Sequence, residues 1–180
     1  MFRPFLVSIF FSCSILFCDL RDCPNNFVPN PQFTGGVNQD ECYPEDFVYY
    51  VSTQLAGYLF EIVLLNGEEI SSEDWVGAFN GDVCVGSRKW NTDNCGGGIC
   101  DVPVYGTDGS QLTEGYMESG QIPTFKIFKA SDTEYYSAHP SSEVSWAHLS
   151  SPLITSLQSC SDASLDIDND SICDAVDDCV

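Results

Sequence analysis

Along the middle of the chain, from about Phe47 to Leu157, apolar residues recur at every second position and almost never at helical spacing. Alternation of this kind sends one set of side chains to a buried face of a strand and the other to solvent. Two runs, FVYYVS (47–52) and GYLFEIVLL (57–65), are rich in β-branched and aromatic residues, and Asn66-Gly67 follows the second. The clearest hairpin signal is DWVGAFNGDVCVGSRKW (74–90), where Asn80-Gly81 divides two alternating runs. Asn-Gly accepts the positive φ angles of the tight turn that matches strand twist. Within the first of those runs Trp75, Gly77 and Phe79 fall on one face, and Val76 and Ala78 on the other. DVPVYG (101–106), IPTFKIFKAS (122–131) and TEYYSA (133–138) supply further strands, with TDGS and SDT as turns. About seven short strands at such intervals predict an all-β fold, an antiparallel β-sandwich of immunoglobulin-like or jelly-roll-like kind, over residues 46–157.

The flanks break this pattern. Residues 1–18, MFRPFLVSIFFSCSILFC, carry one base, Arg3, and then an apolar run from Phe5 to Cys18. That run is shorter than the ~20 apolar residues of a membrane span and reads as a secretory signal peptide. Cleavage after Ser14 and after Cys18 both stay open. Residues 19–45 are rich in Pro, Asn, Gly and Asp and read as an irregular, disulfide-pinned lead-in. Residues 158–180 hold seven acids, no base and few large apolar side chains.

Charge and cysteine usage narrow the function classes. Acids outnumber bases 27 to 6, for a net charge of −21. Nucleic acid is excluded as a partner, because phosphate binding needs clustered Lys and Arg. Hydrophobic residues make up 43% of the chain, enough to build a core rather than a solvated acidic coil. Removing residues 1–18 takes away Arg3 and no acid, so the charge moves from −21 to −22. Eight cysteines then remain: Cys23, Cys42, Cys84, Cys95, Cys100, Cys160, Cys173 and Cys179. An even count behind a secretion signal points to disulfides. Proximity pairs Cys23 with Cys42 and Cys95 with Cys100. The competing use, zinc, is disfavoured because CGGGIC has four residues between its cysteines and no matching second pair.

The strongest chemical signal is the terminal stretch DIDNDSICDAVDDC. Counted from Asp166 as position one, Asp168, Asp170, Asp174 and Asp177 fall at three, five, nine and twelve, and Ile172 at seven offers its backbone carbonyl. This is the spacing of a calcium loop, in which alternate carboxylates and one carbonyl converge on a hard cation. Carboxylates this close repel one another unless a cation sits among them. Ser171 stands where glycine usually makes the sharp turn, Asp177 replaces the usual bidentate glutamate, and no amphipathic helix flanks the loop. The stretch resembles a thrombospondin type-3 repeat, with Asp166, Asp168, Asp170, Asp174, Asp177 and Cys179 matching and Ser171 departing. The resemblance implies calcium binding, and it implies a series of such loops of which residues 158–180 would be a truncated first member.

The body also resembles a known module. LLNGEEISSEDWVGAFNGDVCVGSRKW, CDVPVYGTDGSQLTEGYM and IPTFKIFKASDTEYYSA are similar to a β-sandwich found in large secreted multidomain proteins of environmental, especially marine, bacteria. That likeness implies an extracellular location and a modular architecture, not an activity.

Catalytic signals are weak. His139 and His148 are the only histidines and form no metal-binding pair, and no nucleophile-elbow pattern occurs. Scattered acids such as Asp74, Asp82, Asp93 and Asp101 could form a glycosidase pair only across a deep cleft. Trp90, Trp75 and Trp146 are candidates for stacking on sugar rings, with Trp90 foremost because it borders the loop NTDNCGGGIC. The expectation is therefore a secreted, non-catalytic, calcium-binding adhesion or interaction module, with no membrane span once the signal is cleaved and with a glycan or another surface protein as partner. The alternative is a carbohydrate-binding module attached to a secreted polysaccharide-acting protein.

Overall fold

A computed structural model of the chain describes residues 23–29 and 42–160. The signal segment 1–18 and the aspartates 166–177 lie outside the described residues. The described chain is all-β: ten strands and four short 3-10 turns. Strands β1 (Phe27–Pro29) and β2 (Cys42–Pro44) form a small antiparallel pair of their own. The others are β3 (Gln54–Leu65), β4 (Glu68–Glu69), β5 (Trp75–Asn80), β6 (Val83–Lys89), β7 (Cys100–Gly106), β8 (Thr124–Lys129), β9 (Glu134–Pro140) and β10 (Leu153–Ser159). They build one sheet in the order β4-β3-β10-β9-β8-β5-β6, with β7 also paired to β3.

Two features make this sheet curl. Strand β9 changes partner along its length: Glu134–Ala138 pair with β8, while His139 and Pro140 pair with β10. A strand that passes from one half-sheet to another turns a corner. Strand β6 carries a bulge, because Ala78 faces Gly86 and Phe79 faces Cys84, leaving Val85 as the extra residue. Bulges add local twist. The outcome is that β6 and β7, which share no ladder, come side by side. A Cβ on Gly86 would sit 1.7 Å from the Pro103 carbonyl oxygen, so only glycine fits there. That carbonyl points away from β3, so the donor that proline lacks also faces the unpaired edge and costs no ladder bond.

The inner face of the curl holds the main core, including Tyr58, Phe60, Val76, Val85, Val102, Phe125, Ile127 and Leu157. A second, aromatic cluster lies on the opposite face of β5 and β8: Tyr43, Phe47, Tyr49, Trp75, Phe79 and Phe128, with Cys84. Trp75 and Phe79 join this outer cluster and Val76 and Ala78 the inner core, as their alternation predicts.

Several expectations need correction. The sheet is mixed rather than antiparallel, because β10 runs parallel to β3 along Leu153–Ser159. Residues 47–52 join no ladder. Instead Phe47 closes a 3-10 turn (Glu45–Phe47), and its ring lies where a Cβ on Gly77 would stand, 2.9 Å away. Gly81 and Asp82 form the β5–β6 turn, so Asn80 is not a central turn residue, and only Gly81 has positive φ, at 61°. The positive-φ Asn-Gly pair is Asn66-Gly67, between β3 and β4. The segment expected to be an irregular lead-in supplies β1 and β2 and packs Phe27 and Tyr43 against the body.

Candidate functional site

The predicted cysteine pairs Cys23–Cys42 and Cys95–Cys100 are both disulfides. The second one uses both thiols of CGGGIC and closes the loop that leads into β7. Cys160 is also disulfide-bonded. Cys84, expected in a disulfide, is instead a buried free thiol in the outer aromatic cluster. Burial pushes its pKa up to about 12, against smaller lowering by the Gly86 backbone and the Lys126 charge. Cys173 and Cys179 lie outside the described residues, as do the expected calcium ligands Asp166, Asp168, Asp170, Ile172, Asp174 and Asp177. Among the described residues no group of three or more His, Cys, Asp or Glu could hold a metal ion. Among them, too, no helix is long and apolar enough to cross a membrane.

The three tryptophans are buried rather than laid out on the surface. Trp75, Trp90 and Trp146 are each no more than 4% exposed. Trp75 packs on Tyr43 with ring centroids 4.8 Å apart, and Trp90 lies against Phe60. Trp146 covers Gly106 and donates from Nε1 to the Val104 carbonyl oxygen at 2.9 Å. Indoles are large enough that the interior competes for them, and here the interior wins.

The acids singled out in the sequence go to separate tasks. Asp74 is 1% exposed and closes the end of the β5–β8 pair. Its carboxylate accepts from Lys129 Nζ at 2.8 Å and from the backbone N–H groups of Ala130 and Ser71. Burial alone raises its pKa, but these donors outweigh burial and leave it below the usual carboxylate value. Asp101 instead takes Arg88 Nη2 on Oδ1 at 2.8 Å. Each carboxylate therefore has its own base.

The Arg88–Asp101 pair marks a cleft. Beside the β6–β7 seam lies a cavity of about 490 Å³. Such a volume is within the range of small-ligand sites. Asp101, Pro103 and Tyr105 alternate along β7 and all line it, and Arg88 reaches it from β6. Asn91 and Asn94 line it from the 3-10 turn Thr92–Asn94, whose N-cap is Asn91 accepting from the Asp93 N–H. The Cys95–Cys100 disulfide ties that turn to the first residue of β7. Tyr105 stacks on Tyr49, with centroids 5.5 Å apart and planes 22° from parallel. Burial first, and the Asp101 charge second, hold the Tyr105 phenol above its ordinary value. Tyr49 is raised as well, mainly by burial and then by its phenol neighbours Tyr43 and Tyr105.

Of the three tryptophans singled out in the sequence, Trp75 lines the cleft while Trp90 and Trp146 do not, and the loop after Trp90 contributes other residues. Trp90 turns inward, and the asparagines that follow it line the cleft. One signal was readable: Arg88 and Lys89 are two of only six bases in an acidic chain, and they stand just before the loop closed by Cys95 and Cys100. Comparison of the chain with protein-family models, curated proteins and solved structures finds no match.

Proposed function

We propose that the protein is a secreted, non-catalytic adhesion or interaction module whose acidic end binds calcium. In this reading the all-β body is a sandwich-type domain of a cell-surface or extracellular multidomain protein. The reading rests above all on the spacing of Asp166, Asp168, Asp170, Asp174 and Asp177, with the Ile172 carbonyl between them. That set supplies the six or more oxygens a calcium ion requires. The disulfides Cys23–Cys42 and Cys95–Cys100 support an oxidising, extracellular setting.

The fold gives this segment a firm point of departure. Strand β10 lies between β3 and β9, its last residue Ser159 is buried, and Ser159 Oγ donates to the Ser137 carbonyl oxygen at 2.6 Å. The disulfide-bonded Cys160 comes next. Calcium bound just beyond would stiffen the connection between the domain and whatever follows. The test is calorimetric titration of the full chain and of an Asp168→Asn/Asp170→Asn variant. Loss of the calcium heat in the variant, with unchanged thermal unfolding of the body, supports the reading. Equal heats in both proteins refute the ligand assignment.

A further inference from the structure

We propose that the cleft beside the β6–β7 seam is a binding site for a short, neutral saccharide. The site is held by Arg88, Asn91, Asn94, Asp101 and Tyr105, and it acts independently of calcium. The protein leaves hydrogen-bonding capacity unused around this cleft. Arg88 Nη2 engages Oδ1 of Asp101, but Arg88 Nε is buried and has no partner among the described residues. Asp101 Oδ2 accepts no hydrogen bond from the described residues. Asn91 uses its Oδ1 on Asp93 N–H, which leaves its NH2 group, and the whole Asn94 carboxamide bonds nothing in the described chain. Buried polar atoms are normally satisfied, so the orphaned Arg88 Nε, on a residue that lines a cavity with the open amides of Asn91 and Asn94 and the Asp101 carboxylate, marks a place where a ligand can bind.

The lining also selects the class of ligand. Donors (Arg88, Asn91, Asn94) stand beside acceptors (Asp101, Asn94) around one half-buried aromatic ring, Tyr105. Sugar hydroxyls both donate and accept, and neighbouring hydroxyls can engage a carboxylate, an amide or a guanidinium in pairs. A phosphate, sulfate or uronate would meet the Asp101 carboxylate, whose side chain is 44% exposed. It would also approach a chain of net charge −21. The local bases add no free positive charge: Arg88 is paired with Asp101, and Lys89 with Glu73 at 2.7 Å. An uncharged polyhydroxylated ring satisfies the cleft without these penalties.

The walls are fixed before any ligand arrives. The Arg88–Asp101 pair spans the seam, and the Cys95–Cys100 disulfide holds the asparagine turn to the start of β7. Preorganisation of this kind lowers the ordering cost of binding.

The experiment uses the full chain in a calcium-chelating buffer, so that the fate of the calcium reading does not touch it. Neutral oligosaccharides of glucose, mannose, galactose and xylose are titrated by calorimetry and by ligand-observed NMR. A uronate oligosaccharide and an unrelated peptide run alongside. The expected result is saturable binding of at least one neutral probe, weakened about tenfold or more by Asn94→Ala and by Tyr105→Leu. Leu149→Ala, at an exposed leucine outside the cleft, leaves it unchanged. Asn94 is exposed, so its variant keeps the test valid if Tyr105→Leu lowers stability. No binding of any neutral probe at millimolar concentration, binding of the acidic probe or the peptide alone, or binding indifferent to both variants overturns the proposal.

Discussion

The two faces of strand β5 are closed in different ways. Its inner face, Val76 and Ala78, meets a core that the sheet provides for itself by curling through β9. Its outer face, Trp75, Gly77 and Phe79, is covered by a segment from outside the sheet: Phe27, Tyr43, Phe47 and Tyr49. The inner face depends on the topology of the whole domain. The outer face depends on a few aromatic rings brought over it by a chain that Cys23–Cys42 pins down. A cover of this kind has a rim, and the cleft lies along that rim, sharing Tyr43, Tyr49 and Trp75 with the aromatic cluster. Separating scaffold from cover leaves polar groups exposed at the border without weakening the core.

The largest expected effect is to remove the centre of the cover. Phe47 is fully buried, packs edge-on against Phe79 and Tyr135, and fills the space over Gly77. Phe47→Ala should cost about 3–5 kcal/mol, read by chemical denaturation. If the cover is a separate layer, the variant also opens Cys84 to a thiol reagent under native conditions. Equal protection of Cys84 in variant and wild type would show that the two layers open only together.

A smaller effect is expected at Asp74, where the layers meet at the end of β5. Asp74→Asn should cost about 1.5–3 kcal/mol, because it weakens charge-assisted bonds from Lys129, Ala130 and Ser71. The pH dependence has a definite sign. The folded-state pKa lies below the ordinary 3.8, so this contribution is complete above that value and is lost as pH falls through the folded value. Wild type and variant should therefore converge in stability under acid, and a gap that persists in strong acid would contradict the assignment.

The smallest effect is expected at the seam. Arg88 and Asp101 are both partly exposed, so their attraction is screened by solvent. Asp101→Asn should change thermal stability by less than about 1 kcal/mol. A larger loss would mean that the pair holds β6 to β7, rather than leaving that task to the Gly86–Pro103 contact.

How much of this was legible depended on whether neighbours in sequence or neighbours in space decide. The alternation in β5 was readable because each face is buried by something apolar, whichever layer supplies it. Strand β10 escaped because its pattern is partly inverted: Leu153 is exposed while Ser156 and Ser159 are buried. Residues 47–52 looked like a strand because Phe47, Tyr49 and Tyr50 are strand-forming types. Here they serve as covering rings, and Tyr50 uses its N–H on the Tyr116 hydroxyl rather than in a ladder. The cleft was least legible. Arg88 and Asp101 meet only because the sheet curls, and Tyr105 meets Tyr49 only because the cover folds over the rim. The aspartate stretch is the opposite case, since its proposed ligands are near neighbours in sequence and are read from spacing alone.

In the proposed function, calcium organises the acidic end while the β body stands without it. Amide hydrogen exchange on the full chain, with calcium and with chelator, tests this most directly. Millimolar calcium should slow exchange across residues 161–180 and leave β3, β5 and β8 unchanged. Identical exchange across 161–180 in the two conditions would contradict it.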